Sequence, residues 1–326
     1  AAVLQIPEAE SCGFSCVLVV HSPVETEVAV VYDTVDGEKA YPLCKIPADP
    51  GCNEIQVYTL EGQESIGNIR YFKERYLEET PVFDAKIPSD EVIDIIIPIY
   101  NGLQYFDKLF AGIEKTKMKY RLILVDDQSP DPAVREYLER YVAEHEGTVL
   151  LRNEKNMGFL PSVNRALAIA EHHVALVNTD VEVPEGWLER LMWPIFTKEK
   201  VASSTPFTTC GTICSFPNFC EDNVIFEGMP LWQIDDAFRQ IRPQYATMPT
   251  GIGFCMGMNL EAIREVGLLD EENFDKGYGE ENDWCQRAIQ AGYTNVQVEN
   301  LFVYHKHGGS FSSEEKLRLL KSHLER

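Results

Sequence analysis

The chain has 326 residues, 44% of them hydrophobic and 25% charged, an ordinary globular composition long enough for two domains with real cores. Its 29 Lys and Arg face 52 Asp and Glu, giving a formal charge of -23 that repels nucleic acid and anionic lipid over long range, so neither is an expected partner. A nucleotide or diphosphate ligand would need a local remedy, a metal ion or a helix N-terminus.

The longest apolar stretches, around Cys16–Val20 and Val92–Tyr100, are far too short to span a bilayer, and no signal peptide is visible. A cytoplasmic protein is expected, peripheral at most to the inner face of a membrane. Nine cysteines without a repeated Cys-x-x-Cys pair argue against a zinc site and for reduced thiols; a disulfide near Cys12 and Cys16 stays open.

Residues 1–72 read as strands. Cys16–His21 and Glu27–Asp33 are rich in Val, Glu54–Leu60 alternates in the manner of a half-buried strand, and turns are marked at Asp36-Gly37 and Asp49-Pro50-Gly51. This predicts a small antiparallel β domain for packing or partner binding. Residues 73–91, charged and punctuated by Pro81 and Pro88, predict a short helix and a connecting segment. From residue 92 to 326 the pattern becomes βα. Val92–Ile99 is a near-continuous apolar run, as in a strand covered on both faces, and Leu103–Glu114 has helical spacing. Strands at Tyr120–Val125, Thr148–Arg152 and Val174–Asn178 alternate with helices at Pro132–Glu144, Leu160–Glu171 and Glu185–Phe196. Such units predict an α/β, mostly parallel, doubly wound sheet that binds ligands beyond the carboxyl ends of its strands.

That rule gathers polar residues from four strand ends onto one edge: Tyr100 and Asn101, Asp126 and Asp127, Asn153 and Asn156, and Asn178-Thr179-Asp180. Further on, Tyr278-Gly279-Glu280-Glu281-Asn282-Asp283 packs three carboxylates into four residues. Taken alone, the segment reads as an acidic helix start; the competing reading delivers one carboxylate to a pocket wall as a general base.

The segments Ile97-Pro98-Ile99-Tyr100-Asn101, Val125-Asp126-Asp127-Gln128-Ser129, Asn156-Met157-Gly158-Phe159 with Asn164, Asn178-Thr179-Asp180, Gly279-Glu280-Glu281-Asn282-Asp283 and Tyr304-His305 resemble, in order and spacing, the family 2 glycosyltransferases with a GT-A fold. The resemblance covers roughly residues 92–312. It implies a sugar transferase of the inverting type, with Glu281 as the general base and a UDP- or dTDP-sugar as donor. The donor would lie against Pro98, Tyr100, Asp127, Asn156, Gly158, Asn164 and Thr179, with Asp127 reading the nucleotide base. Asn178-Thr179-Asp180 stands where the family carries its Asp-x-Asp motif. Asp180, with His305, would hold Mn²⁺ or Mg²⁺ on the diphosphate. Thr250, Gly251, Glu280, Asp283 and Trp284 would line the acceptor and sugar pocket, and Gly308-Gly309 after His307 would form a loop closing over the donor. The acceptor would be a glycan or a lipid-linked saccharide, because the closest pattern resembles bacterial enzymes of cell-surface polysaccharide synthesis, rhamnosyltransferases among them. Ser312–Arg326 reads as an amphipathic helix cut off early, so a further domain is expected beyond it. Two other readings compete. One is a degenerate transferase domain that binds a glycan or a partner, for which Thr209 and Cys210 speak. The other is a sugar-1-phosphate nucleotidyltransferase, against which the stretch Tyr100-Asn101-Gly102-Leu103-Gln104 speaks, since it lacks a basic, glycine-rich phosphate loop.

Overall fold

A computed structural model describes four strands within residues 18–59, and residues 90–306 apart from 221, 224, 225, 227, 242 and 275–278. The chain divides into two compact units, Ala1–Thr80 and Pro81–Arg326. In the first unit β1 (Leu18–His21) pairs antiparallel with β4 (Gln56–Thr59), and β2 (Thr26–Thr34) with β3 (Gly37–Ile46). The expected helix in 73–91, the loop at 307–309 and the terminal helix lie outside the described residues.

The second unit is α/β. Its strands are β5 (Val92–Ile99), β6 (Lys119–Asp126), β7 (Val149–Arg152), β8 (His173–Val177), β10 (Val201–Phe207), β11 (Tyr245–Met248), β12 (Cys255–Met258) and β13 (Thr294–Phe302), with a separate pair β9 (Val181–Glu182) and β14 (Tyr304–His305). The helices are α1 (Leu103–Glu114), α2 (Pro132–Glu144), α3 (Phe159–Leu167), α4 (Trp187–Thr197), α5 (Leu231–Arg239), α6 (Leu260–Val266) and α7 (Glu280–Gln290). Eight strands form one sheet in the order β11-β13-β10-β12-β8-β5-β6-β7. Six run one way; β11 and β12 run against them.

The two-residue period of β5 explains why both faces need cover. Ile93, Ile95, Ile97 and Ile99 enter a core with Phe106, Phe110, Leu138 and Trp187, while Ile96 enters the opposite core with Val163, Ile263 and Trp284. The polar exception in this apolar strand is Asp94, fully buried. Its carboxylate takes two hydrogen bonds from the Arg121 guanidinium, Nε to Oδ1 at 2.7 Å and Nη2 to Oδ2 at 2.8 Å, and accepts the Glu171 and His172 amides at 2.8 and 3.1 Å. α3 ends at Leu167, short of the Glu171 that its spacing predicts, with the Ile169 and Ala170 amides turning to the Ala166 and Leu167 carbonyls before the Glu171 and His172 amides reach Asp94. A second buried pair, Arg190 with Asp235 at 2.7 and 2.9 Å, ties α4 to α5; Arg190 also donates to the Asn300 carbonyl on β13.

Candidate active site

The ends of β5, β6 and β8 meet at one edge of the sheet. The Asp127 amide donates to the Ile99 carbonyl at 2.8 Å and the Asn153 amide to the Asp126 carbonyl at 2.9 Å, so the peptides that follow these strands are laced together. The Asp126 carboxylate caps its own turn by accepting the Ser129 amide, and Ser129 Oγ accepts the Asn101 amide at 3.0 Å. Asp127 is buried, and both its oxygens are engaged: Oδ1 accepts Asn153 Nδ2 and the Met157 amide, each at 2.7 Å, and Oδ2 accepts the Gly158 amide at 2.8 Å. Each carboxylate oxygen has two lone pairs, so Oδ2 keeps capacity for one further donor. Asp127 therefore shapes the 153–158 loop as well as facing this edge. Tyr100 and Asn156 are exposed here, and Pro98 and Gly158 are half-buried.

Asn178, Thr179 and Asp180 leave β8 toward the same edge. The Asn178 amide donates to the Phe254 carbonyl at 2.8 Å, and a Cβ placed on Gly102 would come within 3.2 Å of Thr179 Oγ1, so the turn after β5 rests on Thr179. The β9–β14 pair sets His305 opposite Val181, and the Lys306 amide donates to the Asp180 carbonyl at 3.0 Å. His305 Nε2 then lies 3.4 Å from Asp180 Oδ1, both side chains buried. Its Nδ1 is 3.0 Å from the Cys210 carbonyl, which can only accept, so Nδ1 carries the proton and the lone pair of a neutral ring sits on Nε2, toward Asp180. Among the described residues no three His, Cys, Asp or Glu form a metal cluster. A divalent cation that keeps substrate oxygens and water as ligands needs only one or two carboxylates from the protein. The donors present fit such an ion: one carboxylate, one imidazole oriented through its other nitrogen, and Asn178 Oδ1, which is buried without a hydrogen-bond partner.

The acidic segment starts α7 after Gly279, whose φ of 109° suits glycine. Its three acids part company. Asp283 is held by Arg287 Nε at 2.7 Å, and Arg287 also donates to the Val266 and Leu268 carbonyls, so Asp283 anchors the helix. Glu280 is buried, with Oε2 unpartnered; burial, with the Glu281 charge beside it, pushes its carboxyl up to about 8. Glu281 is partly exposed, and packing around its carboxyl raises its affinity for a proton. Its Oε1 accepts the Gly253 amide at 3.2 Å, and a Cβ at 253 would stand 2.8 Å from Oε1, so a side chain there would push the carboxylate aside. Both the base candidate and the metal-ligand candidates are thus braced by consecutive residues, Gly253 and Phe254.

Two expectations need correction. Trp284 is fully buried and donates from Nε1 to the Gly267 carbonyl, so its ring offers no face to a sugar. Asn164 spends its side chain on the 269–271 segment, giving Nδ2 to the Leu269 carbonyl and Glu271 and accepting the Leu269 amide. Gly251 is buried against Met256 and donates to Cys285 Sγ at 3.1 Å, while Thr250 remains half-buried beside it. Two contacts are not legible in the sequence: the Cys210 carbonyl and the Phe254 ring, which meet His305 from 95 and 51 residues away.

Residues 94–267, more than half of the chain, match the family described as Glycosyl transferase family 2. The chain is 26% identical over 239 residues to N-acetylgalactosaminyltransferase 7 of Drosophila melanogaster, covering 66% of this chain and 40% of that protein. It is 26% identical over 247 residues to polypeptide N-acetylgalactosaminyltransferase 18 of Mus musculus, covering 67% and 36%. It therefore spans less than half the length of these curated relatives. In fold it is similar to a crystal structure of GalNAc-T7 with UDP, GalNAc and Mn²⁺ (TM-score 0.53, 17% identity, 71% of this chain and 48% of that one). A mannosyltransferase from Pyrobaculum calidifontis, PcManGT, in complex with GDP-Man and Mn²⁺ is similar too (TM-score 0.50, 14% identity, 74% and 68%). No described helix is long and apolar enough to cross a membrane. The extent of the family match, on a sheet whose strand ends carry this cluster, makes the chain a member of glycosyl transferase family 2.

Proposed function

We propose that this chain is a metal-dependent, inverting glycosyltransferase that moves a sugar from a UDP- or dTDP-sugar to a hydroxyl of a glycan or lipid-linked saccharide. The observation that carries the reading is the bracing of two chemistries by adjacent residues: Glu281 Oε1 on the Gly253 amide, and Asn178 on the Phe254 carbonyl two residues before Asp180. Glu281 takes the proton of the acceptor hydroxyl as that oxygen attacks the anomeric carbon opposite the departing nucleoside diphosphate. Packing strengthens Glu281 as a base, and the Gly253 amide keeps one of its oxygens in place. Asp127 accepts from the imide N–H of the nucleotide base through the capacity left on Oδ2. Asp180, His305 and Asn178 Oδ1 would hold the cation, which when bound supplies positive charge to the leaving diphosphate. Support for a nucleotide and a divalent cation comes from GalNAc-T7 and PcManGT, solved with UDP or GDP-Man and with Mn²⁺.

The test is Glu281→Gln. Removing a general base should lower transfer by about 10²–10⁴-fold while nucleotide binding, followed by calorimetry, stays near wild type. Retained turnover overturns the base assignment, and a product of retained anomeric configuration in the NMR spectrum overturns the single displacement. Nucleotide binding without any turnover in the wild-type protein, across UDP- and dTDP-sugars, would instead favour a glycan- or partner-binding domain.

A further inference from the structure

We infer that Phe254 is a positioning residue of the candidate metal centre, its ring setting the plane of the His305 imidazole. The inference rests on the metal reading above. The two rings are stacked, with centroids 5.0 Å apart and planes 16° from parallel, and Phe254 is only 3% exposed. The imidazole is attached through Cβ, and its Nδ1 is held by the Cys210 carbonyl. A flat aromatic face lying along the ring limits rotation out of that plane and keeps Nε2 aimed at Asp180 Oδ1, 3.4 Å away. Phe254 also holds the opposite wall of the centre, because its carbonyl accepts the Asn178 amide at 2.8 Å, at the strand end that carries Asp180. The benzyl group has no donor atom and cannot ligate a cation. Its contribution is shape, and the ring itself is confined: a Cβ on Gly211 would lie 3.4 Å from Phe254 Cε1.

The variant to make is Phe254→Met, which keeps apolar volume and the backbone carbonyl but removes the rigid face. Mn²⁺ alone is titrated into the full chain, free Mn²⁺ is followed by electron paramagnetic resonance, and folding is checked by circular dichroism. Partners that orient a metal ligand are typically worth 10–100-fold in affinity, so Mn²⁺ binding should weaken by about tenfold or more. In a His305→Ala background the same change should alter affinity by no more than about twofold, since the residue acts through the imidazole. If Phe254→Met does not fold, Phe254→Leu is measured in the same cycle. Wild-type Mn²⁺ affinity in the Phe254 variant, with affinity lost in His305→Ala, overturns the positioning role while leaving the metal site standing. An equal loss in both backgrounds overturns it too, because the residue would then act on the fold. Unchanged affinity in His305→Ala refutes the metal reading, and this inference with it.

Discussion

Replacing Asp127 by Asn tests whether this carboxylate is the organiser of the donor edge. In the wild-type protein it accepts three hydrogen bonds, from Asn153 Nδ2, the Met157 amide and the Gly158 amide. An asparagine has one acceptor oxygen, so its NH₂ must face at least one of these donors. Asn153 cannot turn its amide to compensate without losses, because its Nδ2 also serves Ser162 Oγ and its Oδ1 accepts Arg165 Nη1, both at 2.8 Å. The cost is one lost charge-assisted hydrogen bond, about 1.5–3 kcal/mol, plus a buried N–H left without a partner, about 1–3 kcal/mol. A total near 4 kcal/mol, in a unit of this size, corresponds to a fall in Tm of about 10 °C. Thermal unfolding followed by circular dichroism reads it. A fall of less than about 3 °C would refute the argument, since it would mean that the 153–158 loop does not depend on the carboxylate.

Glu280 predicts a pH dependence of stability. Its folded-state affinity for a proton is raised from 4.5 to about 8, so the folded protein holds more protons over that interval; stability is full below about 4.5 and declines as pH rises toward 8. Glu280→Gln should flatten that decline in denaturant titrations at pH 5 and 8, and an unchanged slope would show that the carboxyl is not the cause. Asp235→Ala leaves the Arg190 charge buried without its partner and should cost about 3–5 kcal/mol, read as a lower denaturant midpoint with unchanged slope. A cost below about 1 kcal/mol would place the pair among surface-like bridges. Gly253→Ala drives a methyl against Glu281 Oε1 and should lower kcat by about 10²-fold with Mn²⁺ affinity unchanged; normal kcat would show that the carboxylate tolerates displacement.

The strand register and the shared edge were legible because they follow from short-range rules. In β5 the alternation of isoleucines assigns each side chain to a face, and polar residues after successive parallel strands must emerge at one end. What stayed hidden depends on partners far away in the chain. Asp94 interrupts the apolar run of β5, and the guanidinium that holds it belongs to Arg121, 27 residues on. Trp284 stands three residues from the base candidate, only about 60° round the helix from it, so helical spacing does not reveal that the indole is packed in the core with its Nε1 on the Gly267 carbonyl. The stacking of Phe254 on His305 joins positions 51 residues apart, and no periodicity announces it.

β12 runs against its neighbours β8 and β10, with consequences for how this protein could be re-engineered. A strand laid in reverse brings the peptide before it, not the one after it, to the reactive end. Residues 249–254 arrive there by that route. A library that randomised only the segments following each strand would spare them, and with them the support of both Glu281 and His305. On the proposed function, diversity introduced at 253 or 254 would disturb the bracing of Glu281 and His305, whereas a library that leaves 249–254 fixed would keep it.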